Sequence, residues 1–514
     1  MSSLPCFSVA RLTIKDHLKK IDPNIFLLKK SDPNIFHLKI NDPCLLVSPI
    51  FRMKMWVRLA LLVVATIHCA SSAPAEDEIT DLPGLGYTVP FKHYSGYLTG
   101  SEGKQLHYWF TESSNNPKDD PVMLWMNGGP GCSSLLGLFT ELGPYRIDLD
   151  GKTLVENVNS WNTVANMLFL EAPACVGFSY DVNGNCTTND DETALSNYNA
   201  LKDFFTNKFP EYRNNTFFIT GESYGGIYVP TLTVQVVEGL EDFPLNFQGY
   251  AIANGITSWR DSNNGNIFFG YYHGLYGVTL WDSLVQNCCE GGVESRETCN
   301  FYDPTDPVCL AATDEAYGII YGGELNSYNL YGECKTPSQS FLTRYMADLK
   351  GLRMSHHLDL NRLNMPRETP PCLDYTHVIN YLNAAEFLKA AHIHDGLPAW
   401  DVCSDILDYR SNYDTMEEQY KYLTPRVHGL FFTGDVDMAC NFLGAEWFFE
   451  KLNLEVVAKR RMWFYSDKNL VGGFVKEFKN LDLVTVLGAG HMAPEEKPEA
   501  VLKLITSFIN GDPY

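Results

Sequence analysis

Residues 215–226 read NTFFITGESYGG and form the most informative stretch of this 514-residue chain. The apolar run at 216–220 predicts a buried strand, and the residues from Ile227 onward predict a helix. Glycines flank Ser223 between the two, and a residue without a Cβ can follow the sharp turn that so short a connection needs. We therefore expect the Ser223 hydroxyl to stand above the end of a strand.

Three other predicted strands lead into loops that are rich in glycine or carry a titratable side chain. These strands cover residues 121–126, 429–433 and 483–487, and their loops are 127–134, 434–437 and 488–491. Ligands of open α/β sheets bind at the carboxyl ends of the strands. The chain order Ser223, then Asp435 or Asp437, then His491 is the order of an α/β-hydrolase, so we predict that fold with a mostly parallel central sheet.

The serine, acid and histidine have complementary chemical tasks. A serine hydroxyl needs a neighbouring base to become a nucleophile, and His491 would take its proton. A carboxylate must hold the imidazole in the right tautomer. The sequence leaves Asp435 and Asp437 open as that carboxylate, because both follow the same strand.

Composition indicates an extracytoplasmic protein. The chain has a formal net charge of −23, which argues against nucleic acid or an anionic membrane surface as a partner. Its 14 cysteines predict disulfide bonds. Two sequons agree with this compartment and predict glycosylation at Asn185 and Asn214.

The first 73 residues contain a signal peptide in an unusual position. A basic stretch, a short apolar run and small residues at 53–73 predict that signal peptide, and the apolar run is too short for a membrane span. Residues 1–52 precede it and carry a decapeptide repeat that begins DPNIF. We interpret 1–52 as a non-native extension, with translation starting at Met53 or Met55; a signal anchor with a cytoplasmic tail is the alternative.

The mature chain divides into a core in two parts and an insertion. We predict hydrolase core at 80–255 and again at 373–514, with a disulfide-stapled cap at 256–372, where turn residues and cysteines crowd together. The part between Cys334 and Cys372 is basic and ends in prolines, which predicts an exposed loop open to proteolysis.

Nothing in the sequence predicts a metal or a cofactor. The histidine pairs 356–357 and 392/394 have no third ligand with clear spacing, so we interpret them as solvated.

Four motifs together resemble the serine carboxypeptidases, and the likeness extends to the animal cathepsin A subgroup. They are WMNGGPGCSS, GESYGG, FFTGDVDMACNFLG and GAGHMAPEEKP, supported by CCEGGVESRETCNFYD and a C-terminal NGDPY. The resemblance covers roughly residues 82–514. It implies peptide substrates, homodimerisation and an association with lysosomal glycosidases.

The resemblance assigns a role to each site residue. It implies Ser223 as nucleophile, Asp437 as orienting carboxylate and His491 as base. The oxyanion donors would be the backbone N–H groups of Gly129 and Tyr224. Binding of the substrate's C-terminal carboxylate would fall to Trp125, Asn127, Gly128, Glu141 and Glu222.

A site with two glutamates facing a carboxylate makes sense only in acid. Ionised, Glu141 and Glu222 would repel the substrate; protonated, they become hydrogen-bond donors. We therefore expect binding to weaken as pH rises.

The resemblance also implies a disulfide pattern with one departure. The implied pairs are Cys132–Cys403, Cys288–Cys309, Cys289–Cys299 and Cys334–Cys372, with Cys440 as a free thiol. Cys175 stands where the family usually has glycine, and we predict that it pairs with Cys186.

The sequence thus predicts a lysosomal or secreted serine carboxypeptidase that acts in acid through an acyl-enzyme. An acyltransferase on the same scaffold is the nearest alternative, and the complete carboxylate set argues against it. A non-catalytic protective partner of lysosomal glycosidases is the alternative from another class.

Overall fold

Six parallel strands form the centre of an eleven-stranded mixed sheet. The computed structural model describes residues 73–322, 325–334, 372–466 and 469–514. The predicted extension at 1–52, nearly all of the predicted signal peptide, the histidines at 356–357 and the loop between Cys334 and Cys372 lie outside these residues.

The strands and helices are numbered in chain order. The strands are β1 His93–Thr99, β2 Lys104–Thr111, β3 Val122–Met126, β4 Tyr145–Ile147, β5 Leu154–Glu156, β6 Asn166–Leu170, β7 Tyr180–Asp181, β8 Thr187–Asn189, β9 Phe217–Glu222, β10 Phe247–Ala253, β11 Asp408–Arg410, β12 His428–Gly434, β13 Val456–Tyr465, β14 Leu470–Phe478 and β15 Leu481–Val486. The α-helices are α1 Asp190–Asp203, α2 Gly225–Gly239, α3 Trp259–Tyr272, α4 Val278–Cys288, α5 Pro307–Ile320, α6 Thr376–Leu382, α7 Ala385–Ala390, α8 Glu417–Leu423, α9 Phe442–Lys451, α10 Ala493–Glu496 and α11 Pro498–Asn510.

The order of strands places the predicted loops side by side. The sheet runs β1-β2-β6-β3-β9-β10-β12-β15-β14-β13, with β7 beside β2. Strands β3, β9, β10, β12 and β15 are therefore consecutive parallel neighbours, and their carboxyl ends meet at one edge. This is the α/β-hydrolase fold that the sequence predicts.

Both faces of the sheet are covered, which explains the continuous apolar runs in its central strands. Alternate residues of β3 enter different cores: Leu124 and Met126 pack with α1 and α2, whereas Met123 and Trp125 pack with α11. Every residue of β3 is buried as a result.

A third core lies in the inserted segment. Helices α3, α4 and α5 pack together there with Met438 and with Trp447 of α9. The Cys288–Cys309 bond ties α4 to α5, and Cys289–Cys299 closes the short loop that follows α4. The domain boundaries inferred from the sequence remain predictions.

One predicted helix is divided in the structure. The apolar spacing at 378–391 predicts a single helix, but the chain forms α6 and α7 with an extended Ala384 between them. Asn383 explains the break, because its side chain donates to the carbonyl of Trp400 at 2.8 Å and accepts from Trp400 N at 2.7 Å. These tertiary hydrogen bonds override the local helical preference.

Within the described ranges, none of the helices combines the length and hydropathy that a bilayer crossing requires.

Candidate active site

Ser223 occupies the turn between β9 and α2 and has a left-handed backbone, with φ of 62°. Its neighbours need to be glycines because other backbone runs close by. A Cβ on Gly221 would lie 2.7 Å from the Met126 carbonyl oxygen, and one on Gly226 would lie 2.2 Å from the Ile256 oxygen. Crowding on both sides thus fixes the sharp turn that carries Ser223.

Asp437 and His491 form a buried pair at the ends of β12 and β15. Asp437 Oδ2 lies 2.8 Å from His491 Nδ1, and both side chains are at most 3% exposed. The other carboxylate oxygen of Asp437 accepts the backbone N–H of Ala439 at 2.8 Å. His491 is held further by its own backbone N–H, which donates to the Tyr328 carbonyl at 2.6 Å.

The two aspartates that the sequence leaves open face different partners. Asp435 accepts the backbone N–H of Gly488 at 2.6 Å and is part-exposed. Only Asp437 is brought to the imidazole. On an extended segment, residues two apart point in the same direction. The chain turns at Asp435, so Asp435 and Asp437 point to different partners.

Asn254 is a site residue that the sequence reasoning missed. It follows β10 directly, and its amide donates to Asp437 Oδ2 at 2.9 Å and to the Gly490 carbonyl at 3.1 Å. Its carbonyl oxygen accepts from Gly434 N at 3.3 Å. Asn254 therefore ties the acid-bearing loop to the histidine-bearing loop. The available signal was its position directly after an apolar run at 245–253 that predicts a further strand of the sheet.

The glycine loop after β3 lies against the Ser223 turn. A Cβ on Gly128 would lie 2.4 Å from Tyr224 N and 2.7 Å from the Ser223 Cβ. Gly129 has φ of 113°, a conformation that favours glycine. The predicted oxyanion donors, Gly129 N–H and Tyr224 N–H, thus come from two loops in direct contact.

The predicted carboxylate-binding residues lie together, and Asn127 is at their centre. Its oxygen accepts from Trp125 Nε1 at 2.8 Å and from Gly137 N at 3.1 Å. These two donors fix the orientation of the amide. Its nitrogen is consequently turned to the glutamates, 3.1 Å from Glu141 Oε1 and 3.5 Å from Glu222 Oε1.

Glu141 and Glu222 are buried acids in mutual contact. They are 1% and 3% exposed, and they are close enough to share a hydrogen bond when one is protonated. Burial, followed by the Glu141 charge, raises the pKa of Glu222 well above its usual value. Burial also raises the pKa of Glu141, while hydrogen bonds from Glu222 and Asn127 oppose that rise. This pair therefore favours at least one bound proton.

Cys440 is a buried free thiol next to the pair of Asp437 and His491. One ligand atom from each of these three residues lies within 4.8 Å of the others, a spacing that could suit a metal. Burial and the nearby carboxylates of Asp437 and Glu222 raise the pKa of the Cys440 thiol well above its usual value. A protonated thiol is a poor metal ligand, and His491 Nδ1 is already hydrogen-bonded to Asp437 Oδ2.

Five disulfides lie in the described residues. They join Cys132 to Cys403, Cys175 to Cys186, Cys288 to Cys309, Cys289 to Cys299 and Cys334 to Cys372. The first ties the glycine loop to the 402–404 segment, where Ser133 N also donates to the Val402 carbonyl at 2.8 Å.

A comparison with protein families bears on this arrangement. A family model described as serine carboxypeptidase matches residues 83–511. The chain belongs to the serine carboxypeptidase family. The resemblance inferred from the four motifs is thereby confirmed, and the protein is a serine-type hydrolase.

Relatives from animals and plants match over nearly their whole length. The lysosomal protective protein of Mus musculus is 44% identical over 89% of this chain and 98% of its own length. Serine carboxypeptidase ctsa-4.1 of Caenorhabditis elegans is 40% identical over 90% of this chain and 99% of its own length. Serine carboxypeptidase-like 20 of Arabidopsis thaliana is 33% identical over 91% of this chain and 99% of its own length.

A solved structure shares the serine carboxypeptidase fold. The crystal structure of Kex1(Δ)p, a prohormone-processing carboxypeptidase from Saccharomyces cerevisiae, matches with a TM-score of 0.66 at 20% identity. The match covers 86% of this chain and 97% of the yeast chain. At that identity it establishes the fold alone.

Proposed function

We propose that this serine carboxypeptidase uses Ser223 as nucleophile, His491 as base and Asp437 as orienting carboxylate. The observation that carries the proposal is the 2.8 Å contact between Asp437 Oδ2 and His491 Nδ1. An Nδ1–H that donates to Asp437 leaves Nε2 unprotonated and able to accept the serine proton. The strained backbone at Ser223 agrees with a nucleophile held at the tip of a turn.

The reaction proceeds by acyl transfer in two halves. Ser223 Oγ bonds to the carbonyl carbon of the last peptide bond while His491 takes its proton. The tetrahedral intermediate carries its negative charge toward the N–H groups of Gly129 and Tyr224. It collapses as the C–N bond breaks, and His491 gives its proton to the departing amino acid. Water then attacks the acyl-enzyme with the same base and releases the shortened peptide.

The substrate's chain end binds to a set that we call the chain-end site: Trp125, Asn127, Gly128, Glu141 and Glu222. The Asn127 amide donates to the incoming carboxylate, and Trp125 holds that amide in place. The Gly128 backbone supplies an N–H, and glycine has no side chain of its own to cover it. Protonated Glu141 and Glu222 add O–H donors, and Oε2 of each accepts no hydrogen bond within the described residues.

This chain-end site predicts activity in acid. Both glutamates have raised pKa values, so they keep protons at a pH where an exposed carboxyl is ionised. As pH rises, the loss of each proton removes a donor and adds a repelling charge. Affinity for free chain ends should therefore fall toward neutral pH.

A comparison of free and amidated substrates tests the proposal. We would measure hydrolysis of a blocked dipeptide and of its C-terminal amide between pH 4 and pH 8. We expect the free acid to be hydrolysed much faster than the amide at pH 5, and we expect the ratio of the two rates to decrease as pH rises. Ser223→Ala should lose activity on both substrates. Equal rates on the amide across the acid range would refute the exopeptidase assignment.

The acyltransferase alternative uses the same triad with an alcohol in place of water. A complete chain-end site favours peptide hydrolysis, because an acyl donor without a free carboxylate gains nothing from two buried glutamates. Product analysis in the presence of an added alcohol separates the two.

A lysosomal or secreted location fits several observations. Five disulfides are typical of compartments outside the cytosol. The sequon residues Asn185 and Asn214 are both exposed, as a glycan requires. The mouse relative is named for the lysosome. A mass shift on treatment with an N-glycosidase would test the modification.

We also propose a homodimer and an association with lysosomal glycosidases. The support is the family resemblance and the name of the mouse relative, lysosomal protective protein. Exposed apolar side chains on the edge strand β13, including Val457, Met462 and Phe464, support a face that a second protein covers. Sedimentation of the purified protein, alone and with a glycosidase, would test both associations.

A further inference from the structure

A third glutamate lies beside the chain-end site. Glu495 is on α10, which follows His491 and packs against the turn Gly137–Glu141 that carries Glu141. Its Oε2 is buried and has no hydrogen-bond partner in the described residues. The proposed triad and chain-end site make no use of this carboxyl, although a buried carboxyl oxygen without a hydrogen bond is costly.

Arg146 on β4 is the cation of this region. Its guanidinium donates from Nη2 to the Glu141 carbonyl at 2.8 Å, while its buried Nε has no partner in the part of the chain that the structure describes. The positive charge of Arg146 lowers the pKa of Glu141 and of Glu495 against the effect of burial. One cation therefore faces several acids.

The charged and titratable groups that interact with Glu495 come from several elements. They are Glu141 on the turn, Arg146 on β4, Glu222 on β9, Tyr375 before α6 and Glu496 on α10 itself. Glu496 is already engaged, because its carboxylate accepts from Gly490 N and from Asn329 Nδ2 at 2.6 Å each. That leaves Glu495, Glu141 and Glu222, each with a buried Oε2 that has no donor among the described residues.

We propose that Glu495 is a specificity-determining residue beside Glu141 whose negative charge, once formed, repels the substrate carboxylate and deepens the loss of binding at alkaline pH. This inference rests on the proposed chain-end site. A pocket that must admit one carboxylate tolerates protonated acids, but each additional ionised acid repels the ligand. Glu495 does not touch the reacting atoms, so its effect falls on binding and not on the chemical step.

The direction of the effect follows from when Glu495 ionises. Burial, followed by the Glu141 charge, raises the pKa of Glu495 to about 8. It is therefore neutral throughout the acid range and gains its charge as pH passes about 8. Two like charges about 8–16 Å apart interact by about 1–2 kcal/mol at an effective dielectric of about 20, and about 1.4 kcal/mol is a tenfold change in affinity.

A pair of variants in an inactive background tests this directly. In Ser223→Ala, we would measure the Kd of a blocked dipeptide with a free C-terminus between pH 5 and pH 9. Adding Glu495→Gln should leave Kd unchanged at pH 5 and give about tenfold tighter binding than the parent above pH 8. Glu495→Asp keeps the charge and should restore the alkaline loss. Glu499→Gln, an exposed glutamate on α11 with the same charge change, should follow the parent.

Each outcome separates the two proposals. Parallel Kd curves for Glu495→Gln and its parent would overturn the role of Glu495 while leaving the chain-end site intact. An equal change at pH 5 and pH 9 would indicate packing and would also overturn it. If the Ser223→Ala parent binds the amidated dipeptide as tightly as the free acid at pH 5, the chain-end site itself is wrong.

Discussion

Asn254 donates its amide to the same oxygen of Asp437 that faces the imidazole of His491. The two contacts are 2.9 Å and 2.8 Å, and the Asn254 amide also reaches the Gly490 carbonyl at 3.1 Å. One neutral side chain from β10 thus joins the loops that follow β12 and β15. The geometry of the Asp437–His491 pair therefore depends on three adjacent strands and not on two.

Substituting the two candidate acids should have unequal effects. Asp437→Asn removes the acceptor for the imidazole Nδ1–H and permits the wrong tautomer, so kcat should fall by about 10⁴. Asp435→Asn is the matched control, because Asp435 accepts from Gly488 N and does not reach His491. It should keep kcat within about threefold. Steady-state rates on one blocked dipeptide give both values, and a larger loss in Asp435→Asn would reverse the assignment.

Removing the Asn254 amide should reduce the rate without weakening binding. Asn254→Ala frees the Asp437 carboxylate to rotate, and we expect kcat to fall by about 10–100-fold with KM nearly unchanged. The pH profile of kcat should also shift, because the Asp437 carboxylate that contacts His491 is no longer held by the Asn254 amide. Asn263→Ala, on α3 with its amide on the Trp259 carbonyl, serves as the control and should change neither quantity.

The chain-end acids should make the protein less stable as pH rises. Burial raises the pKa of Glu222 above its ordinary 4.5, so the folded state holds this proton more tightly than the unfolded chain. Stability from this source is full below 4.5 and is lost as pH rises toward the folded-state pKa.

Replacing Glu222 should remove that loss. Glu222→Gln should have nearly the wild-type melting temperature at pH 4.5 and a melting temperature about 2–4 °C higher than wild type at pH 7.5. Calorimetric melts at the two pH values make the comparison, with Glu499→Gln as the exposed control. A gain of equal size at both pH values would speak against titration as the cause.

His93 should make the protein less stable as pH falls, which is the opposite pH dependence to that of Glu222. Burial lowers its pKa from 6.5 to about 4, and its Nδ1 lies 3.0 Å from the Tyr145 hydroxyl. The neutral imidazole therefore stabilises the fold above 6.5, and this stability is lost as pH falls toward 4.

The His93 contribution can be isolated by substitution. Between pH 6.5 and pH 4.5 the wild type should lose about 2–3 kcal/mol of unfolding free energy that His93→Gln does not lose. Urea denaturation at both pH values measures this difference, whatever the variant's absolute stability. If both proteins show the same change with pH, His93 does not titrate in this range.

The loops of the proposed triad could be predicted from the sequence because the ends of the apolar strands are recognisable in it. Apolar runs followed by glycine or an acid located Ser223, His491 and the loop that carries Asp435 and Asp437, and the family resemblance favoured Asp437 of the two. Asn254 escaped because an asparagine before a glycine is also an ordinary turn residue.

Glu495 escaped for a different reason. An acidic residue in the first turn of a helix normally indicates a solvent-exposed carboxylate that interacts with the helix dipole. Its burial is set by packing of α10 against the turn that carries Glu141, a long-range contact that local pattern does not encode. The split of the predicted helix at 378–391 has the same origin, since the amide of Asn383 bonds to the distant Trp400.

The most direct test of the central claim counts protons when a chain end binds. Titration calorimetry of Ser223→Ala with a free-acid dipeptide, repeated in buffers of different ionisation enthalpy, gives the number of protons taken up. We predict uptake of about one proton near pH 7, close to none at pH 4.5, and none at either pH for the amidated dipeptide. Binding of the free acid at pH 7 without proton uptake would contradict the account.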